Sequence, residues 1–560
     1  MFQAVDVIWM LAAAALVFFM QAGFAMVETG FTRAKNAGNI IMKKLMDFAL
    51  GSLVFWAIGF GLMFGSSQAG IIGLPGLFAT GDGINPAVPG PAFLIFQTVL
   101  CATAATLVSG AMAERTKFIA YFIYSIVISA VIYPISGHWV WGGGWLSKLG
   151  FHDFAGSTTV HMVGGIAALV GAALLGPRIG KYDAEGKPKA IPGHSITLGA
   201  LGVFIIWFGW FGFNSGSMLP GAGGDTLTKM GHIFITTNLA AATSAVVAMI
   251  ITWIRFKKPD VSLTLNAALG GLVAIAAGCD AVSSAGAVAI GAIAACIVVY
   301  GIEFIDKSAK IDDPVGAIGV HGLCGAAGTI LVGVFATDEG LFYGGGLQYL
   351  GVQVLGVAAV AMWVTASMMI LFAIIKRTVG LRVSREEEIA GLDIEEHGLA
   401  SSYADFMPTI PASPEEYEEA PVNVEQAVPV IYKNPAESAG PDVKMTKVEI
   451  ITKQSKFEAL KVAMNDIGIT GMTVSNVLGC GMQKGSMEYY RGIEMEIRLL
   501  PKVKVEIVVC KIPVPTVIDA AKRVLYTGKI GDGKIFVYDV ENVLKVRTGE
   551  EGYDALQDDE

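Results

Sequence analysis

Charge is scarce along most of this chain. Of its 560 residues 16% are Asp, Glu, Lys or Arg while 54% are hydrophobic, and the shortage is uneven. Residues 1–377 hold 19 Lys and Arg against 17 Asp and Glu, whereas residues 378–560 hold 20 against 31. The net charge of −9 therefore belongs to the last third of the chain and gives no indication of a nucleic-acid partner; none is expected. Cysteine is sparse too. The six, Cys101, Cys279, Cys296, Cys324, Cys480 and Cys510, show no metal-ligand spacing, and four lie in or beside apolar runs, so they read as packing residues kept reduced. No constellation of nucleophile and base is visible either, which argues against an enzyme.

What the first two thirds have instead is long apolar runs. Windows of about 20 residues place eleven spans near 4–30, 45–65, 91–113, 118–137, 157–177, 195–215, 231–254, 262–278, 282–303, 315–336 and 350–376. The first has no basic residue before it and is followed by Arg33, Lys35, Lys43 and Lys44, so it is expected to be retained rather than cleaved as a signal peptide. Loops after the odd-numbered spans carry 17 Lys and Arg up to Arg377, the opposite loops only Lys148 and Lys229. By the positive-inside rule the N-terminus is expected outside and the C-terminus in the cytoplasm.

One stretch organises these spans. Asp153 to Gly165, D-F-A-G-S-T-T-V-H-M-V-G-G, returns as Asp313 to Gly325, D-P-V-G-A-I-G-V-H-G-L-C-G, displaced by 160 residues. His161 and His321 stand at the same place in the two copies. Each histidine lies roughly 12 Å up a helix from its aspartate, near mid-depth of a membrane. The copies open the fifth and tenth spans, an offset of five, so their helices run in opposite directions. The expectation is an inverted 5+5 repeat with one midplane site at the junction. An intramembrane histidine is costly and hence a functional candidate. Two of them without Cys or a free carboxylate nearby make a poor metal site. The aspartates read as acceptors at helix starts. G-H-W-V-W-G-G-G-W at 137–145 and W-F-G-W-F-G-F-N-S-G-S at 207–217 join aromatics to Asn214 and Ser217, a combination suited to holding a small cation.

These residues resemble the Amt/Mep/Rh ammonium transporters, and closely the bacterial Amt branch. The resemblance rests on M-Q-A-G-F-A-M-V-E-T-G at 20–30, G-A-M-A-E-R-T-K-F at 110–118, D-F-A-G-S-T-T-V-H at 153–161, G-W-F-G-F-N-S-G-S at 209–217 and D-D-P-V-G-A-I-G-V-H-G at 312–322. It implies a homotrimer in the bacterial cytoplasmic (inner) membrane with one pore per subunit. It makes His161 and His321 the twin pore histidines and Phe213 a gate ring. Trp141 and Ser217 become an external ammonium-recruitment site supported by Asp153. Where many members have a second gate Phe, this chain reads F-Q-T-V-L and has Leu100. Ammonium would be deprotonated on the outer side, pass the imidazoles as ammonia and regain its proton inside, because an intact ammonium in an apolar pore is strongly unfavourable. No cofactor is implied for transport.

The membrane domain is assigned to residues 1–380 and a charged, amphipathic cytoplasmic tail to 381–398. Residues 399–444 carry seven prolines from Pro408 to Pro441 and the run E-E-Y-E-E, and read as a linker. From 445 to 560 the pattern alternates. Strands at 446–452, 472–478, 503–509 and 534–540, with helices at 455–467 and 514–526, give βαββαβ, an α+β ferredoxin-like domain with a long polar loop at 481–498.

This part resembles the PII signal-transduction proteins in G-I-T-G-M-T-V at 468–474, Q-K-G at 483–485, Y-R-G at 490–492, L-P-K-V-K-V-E-I-V-V at 500–509, T-G-K-I-G-D-G-K-I-F at 527–536 and R-T-G-E-E at 547–551. The resemblance implies ATP or ADP binding by Gly531, Gly533, Lys534 and Arg547, with Lys545 in place of a phosphate-contacting arginine. It assigns Gln483 to Mg2+ and 2-oxoglutarate, Lys502 to 2-oxoglutarate, and Arg491 to a T-loop that plugs the pore. Met495 stands where the uridylylated tyrosine would be, which excludes that modification there. The whole reads as an ammonium transporter regulated in cis by a PII-like domain docking on its own trimer. The alternative is an ammonium sensor with little transport.

Overall fold

The computed structural model describes residues 4–399 apart from 75, 79, 83, 85–87 and 219–223, residues 444–546 apart from 480–486, 491–492, 497–499 and 529–530, and residues 554–556. The chain divides into two compact units, Met1–His397 and Gly398–Glu560. The linker expected over 399–444 lies, save for its ends, outside the described residues.

The first unit is built of long apolar helices: α1 Ala4–Phe31, α2 Ala34–Phe64, α3 Gly90–Met112, α4 Phe118–Lys148, α5 Ser157–Leu175, α6 Ile196–Gly216, α7 Thr226–Phe256, α8 Val261–Ile275, α9 Ser284–Lys307, α10 Ile318–Phe335 and α11 Gly346–Thr378. Ten of these are long and apolar enough to cross a membrane. The exception is α8, whose 15 residues reach about 22 Å. It stops early because its end is taken over by the loop before α5. Ser157 Oγ donates to the Val273 carbonyl and accepts from Ala277 N, while the carbonyls of Ala276 and Ala277 accept from Ala155 N and Phe154 N. Phe204, Met362 and Ile370 remain 68%, 67% and 64% exposed on the outer faces, the expected surface when the solvent is lipid.

One expectation needs correction. The second helix begins at Ala34, not near 45, so Lys43 and Lys44 lie inside it rather than in a loop. Both are buried. They are tolerated because each ammonium has acceptors: Lys43 Nζ donates to the Thr116 carbonyl, and Lys44 Nζ pairs with Glu28.

Helices that correspond in the two halves touch each other backbone to backbone. On α1 and α6 a Cβ at Gly23 would come within 2.8 Å of the Gly202 carbonyl, and one at Gly30 within 2.5 Å of Gly199 N. On α5 and α10 a Cβ at Gly165 would overlap the backbone of Gly322, and one at Gly325 would lie 2.5 Å from the Ser157 carbonyl. In both pairs the residue numbers rise on one helix as they fall on the other. The partners therefore run antiparallel, consistent with an inverted repeat.

A buried ionic cluster ties the loops at one end of the unit. Arg178, just after α5, is bidentate to Asp312 (Nε to Oδ2 2.8 Å, Nη2 to Oδ1 2.9 Å) and also meets Glu114 at 2.8 Å; Arg33 completes the pair on Glu114. Burial pushes the Asp312 carboxyl up, but the hydrogen bonds and charge of Arg178, with Arg115, outweigh it and hold it at about 2. The tail packs on the same end as two short helices, α12 Arg385–Ala390 and α13 Leu392–His397. A capping box of Ser384 and Glu387 starts α12. Asp393 accepts from Gly38 N and Asn39 N at the start of α2.

The second unit has strands β1 Thr446–Lys453, β2 Thr473–Gly479, β3 Leu500–Val509 and β4 Lys534–Asp539, with helices α14 Phe457–Asp466 and α15 Val514–Leu525. Sheet order is β2-β3-β1-β4, antiparallel throughout, which is the ferredoxin-like arrangement. Val448 opposite Ile507 and Ile450 opposite Val505 form a buried face that meets Leu460, Val517 and Ala521. The segment expected as a long loop at 481–498 instead holds a hairpin, Met487–Tyr490 paired with Ile493–Glu496.

Replacing Arg178 by Met leaves the buried Asp312 carboxylate without its ion-pair partner and Glu114 with Arg33 alone, and is expected to lower stability by about 3–5 kcal/mol, read as a fall in the melting temperature of the purified protein. The Asp312 contribution has a stated pH window. Its folded pKa lies below the unfolded one of about 3.9, so the stabilisation is complete above about pH 4 and is lost as pH falls toward about 2. A Asp312→Asn variant is expected to lose that acid-dependent part of the melting curve.

Candidate functional site

Both copies of the repeated motif open in the same way. Gly156 and Gly316 adopt left-handed φ of 110° and 81°, a conformation that glycine reaches without strain. Three residues earlier, Asp153 accepts hydrogen bonds from Gly156 N (3.1 Å), Thr158 N (3.0 Å), Thr159 N (2.7 Å) and Thr159 Oγ1 (2.8 Å). Asp313 accepts from Gly316 N (3.0 Å) and Ile318 N (2.7 Å). These carboxylates satisfy the free N–H groups of a helix start. The first turn of each helix is a widened π-turn, Ser157–Met162 and Ile318–Leu323, a form that recurs at functional sites. Each turn carries its histidine.

The two imidazoles meet. Their ring centroids lie 5.3 Å apart with 24° between planes. Trp210 stacks on His161 at 4.8 Å and 15°, Phe213 stands 5.3 Å from His161, and Phe24 stands 6.1 Å from His321. Both ring nitrogens of His161 and Nδ1 of His321 are buried without a hydrogen-bond partner. A buried polar atom left unpaired costs free energy and calls for an explanation. Here three such atoms belong to two neighbouring rings among aromatic side chains, a setting suited to a small molecule able both to donate and to accept.

Around Trp141 the geometry is less convergent. Its indole Nε1 donates to the Asp153 carbonyl at 2.7 Å, so the ring is anchored to the loop that starts α5. Ser217 Oγ donates to the Phe213 carbonyl in its own helix at 3.0 Å. Among the described residues no hydrogen bond joins Ser217 to Trp141. Leu100 is buried in α3, and one turn earlier Phe96 packs against Gly216, where a Cβ would come within 2.6 Å of its ring. Asp153 is buried, with its oxygens committed to α5.

The profile described as Ammonium Transporter Family matches residues 8–402. The chain belongs to the ammonium transporter family. A second profile, Nitrogen regulatory protein P-II, matches residues 445–550, so the family's membrane unit here carries a P-II domain behind it. Among its relatives, Ammonium transporter Amt2 of Archaeoglobus fulgidus is 48% identical over 427 residues, 72% of this chain and 89% of that protein. Ammonium transporter Amt1 of Haloferax mediterranei is 40% identical over 72% of this chain and 80% of its own length. Of solved structures, one titled Sensor Amt Protein is 42% identical with a TM-score of 0.67, over 70% of this chain and 98% of that one. Mep2 of Candida albicans is 28% identical with a TM-score of 0.62, over 69% and 88%. The protein is thus a multi-pass membrane protein of a family of ammonium transporters, with ammonium as its substrate.

In the P-II domain, β1 and β4 hold the turn at 527–534. Thr452 Oγ1 donates to the Asp532 carbonyl, and the Asp532 carboxylate accepts from Thr527 N and Oγ1. Gly531 and Gly533 have φ of 105° and 127°. Lys502 Nζ donates to the Gly531 carbonyl at 3.2 Å, which brings Lys502 to the glycine turn. Burial and then Lys453 push the Lys502 ammonium below its ordinary pKa. Lys534 opens β4 opposite Ile451, and Lys545 is half-buried beyond it. Gln483, Arg491 and Arg547 lie outside the described residues.

Two residues were not singled out from the sequence. Trp210 was grouped with the aromatics of 207–217 beside Asn214 and Ser217, yet it lies wholly buried against His161. Its spacing of three from Phe213 puts both on one helix face, and that was the available signal. Phe96 stood in F-Q-T-V-L beside the residue that drew attention. Asp153→Ala leaves three backbone N–H groups unpaired and is expected to cost about 1–3 kcal/mol in thermal stability; Asp153→Asn, which keeps an acceptor, is expected to lose less.

Proposed function

We propose that the protein conducts ammonium across the membrane through a path in each subunit lined by His161 and His321, and that its P-II domain regulates this path in cis. The observation that carries the reading is the pair of stacked, buried imidazoles with three unpartnered nitrogens. Such nitrogens offer ammonia an acceptor or a donor in turn. An apolar path excludes the intact cation, so ammonium gives up its proton on the Trp141 side, crosses as ammonia past Phe213 and the imidazoles, and regains a proton beyond His321. Trp141, Ser217 and Phe213 form the entry, Leu100 leaves it more open than a second phenylalanine would, and Asp153 acts by holding Trp141 and the start of α5 in place. A proton passing between the two imidazoles would travel the same route.

The unit spanning 1–380 is the transporter, in a bacterial cytoplasmic membrane as a homotrimer, with the N-terminus outside. The tail at 381–398, the linker at 399–444 and the domain at 445–560 lie in the cytoplasm. Gly531, Gly533, Lys534, Lys545 and Arg547 bind ATP or ADP, Lys502 and Gln483 bind 2-oxoglutarate with Mg2+, and Arg491 closes the pore when the domain docks on its own trimer. Supporting this is the match of the P-II profile over 445–550 together with the left-handed Gly531 and Gly533 and the contact of Lys502 with Gly531. A sensor role with little flux is a second reading. The 42% identity to a protein titled Sensor Amt Protein favours it.

Two experiments separate these. In vesicles with the purified protein, an inward ammonium gradient is expected to raise total internal ammonium faster than in empty vesicles, and His161→Ala and His321→Ala to remove the difference; no acceleration in the wild type would leave the sensor reading. Separately, ATP or ADP is expected to raise the melting temperature of the full chain and Lys534→Ala to abolish the rise.

A further inference from the structure

The cavity that begins at His321 ends on a buried ion pair. About 30 Å3 in volume, it lies between Phe24, Thr106, His321, Glu28 and Lys44, enough for one water-sized molecule. Lys44 Nζ sits 2.6 Å from Glu28 Oε2 and donates to the carbonyl oxygen and Oγ1 of Thr106 at 2.7 and 3.3 Å. Glu28 Oε1 accepts from Ser109 Oγ at 2.6 Å. The side chains of Lys44 and Glu28 are only 5% and 3% exposed.

Placing two charges here costs desolvation that a well-packed apolar pair would avoid. The chemistry of the pair is therefore informative. A lysine head group and a free ammonium ion carry the same charge and present the same kind of N–H donor. The three oxygens that surround Lys44 Nζ are consequently a ligand shell fit for ammonium, one cavity-width from an imidazole with an unpartnered nitrogen. Lys44 reaches it on a flexible four-carbon stem and could withdraw along that stem without moving a helix.

We propose that Glu28 and Thr106 form an ammonium-binding site on the far side of His321 from His161, which the Lys44 side chain fills as a tethered ammonium and yields to the free ion. This rests on the transport reading above. Cargo that passes His321 as ammonia and regains its proton then meets a carboxylate already arranged for it.

The test is chemical rescue in the full-length protein in detergent. Lys44→Ala empties the shell and leaves Glu28 uncompensated; Lys44→Ala with Glu28→Gln removes the charge as well. Melting temperatures are measured as ammonium chloride replaces sodium chloride at constant ionic strength, with potassium chloride as a further control. Lys44→Ala is expected to melt below the wild type in sodium and to rise saturably with ammonium by about 2 °C or more, a rise absent from the double variant. Ammonium bound at the outer site acts equally on both variants and cancels. A rise no larger than in the double variant overturns the site, and an equal rise in potassium overturns its assignment to ammonium. Should Lys44→Ala not fold in sodium, purification in ammonium makes the same comparison, and failure in both salts also overturns it. Vesicle uptake by the wild type distinguishes the two levels: uptake without rescue removes this site alone, whereas no uptake removes the transport reading.

Discussion

The backbones of α5 and α10 pass each other with no room for a side chain between them, and the rest of the membrane unit is arranged around that contact. Gly165 faces Gly322, and Gly325 faces the Ser157 carbonyl. Because His161 and His321 lie within four residues of these glycines on their own helices, the closeness of the helices sets the 5.3 Å between the rings. Any larger residue at the crossing would part the imidazoles as well as the helices. Close approach also secures the polar links across the crossing, such as Thr158 Oγ1 to Thr329 Oγ1 at 2.8 Å. In lipid, where apolar burial adds little to helix association, such contacts carry the packing.

Polar chemistry in this unit is rationed by depth. At one end, Arg178, Asp312, Glu114 and Arg33 neutralise one another among loops, and at the starts of α5 and α10 aspartates take up backbone donors. Between these lie the imidazoles, unsatisfied, and beyond them the Glu28 and Lys44 pair. The proposed route would offer hydrogen-bonding atoms in sequence without a continuous polar lining, which suits ammonia, being small, neutral and able to donate and accept, better than a hydrated ion.

Much of this was legible in the sequence because it follows from local pattern. The 160-residue offset between His161 and His321 announced two equivalent helices, and an odd count of spans set their opposite directions. Asp153 and Asp313 stood where helix starts need acceptors. Alternation at 446–452 and 503–509 marked β1 and β3 as strands. What escaped depends on contacts distant in sequence. The start of α2 was misplaced because Lys43 and Lys44 read as loop cations, and only Glu28 and the Thr116 carbonyl, on other elements, make them tolerable inside a helix. The shortness of α8 comes from Ser157, 116 residues away. Trp210 stood as one of several aromatics at 207–217 until the fold set it on His161, and the π-turns have no signature beyond the glycine that precedes them.

The most direct test of the central claim is the current evoked by an ammonium pulse on a membrane of reconstituted protein. Deprotonation outside with the proton passing along the imidazoles predicts a current that saturates with ammonium and disappears in His161→Ala and His321→Ala. A current of undiminished size in both variants would contradict the account, since ammonium would then be crossing by a route that avoids the two histidines.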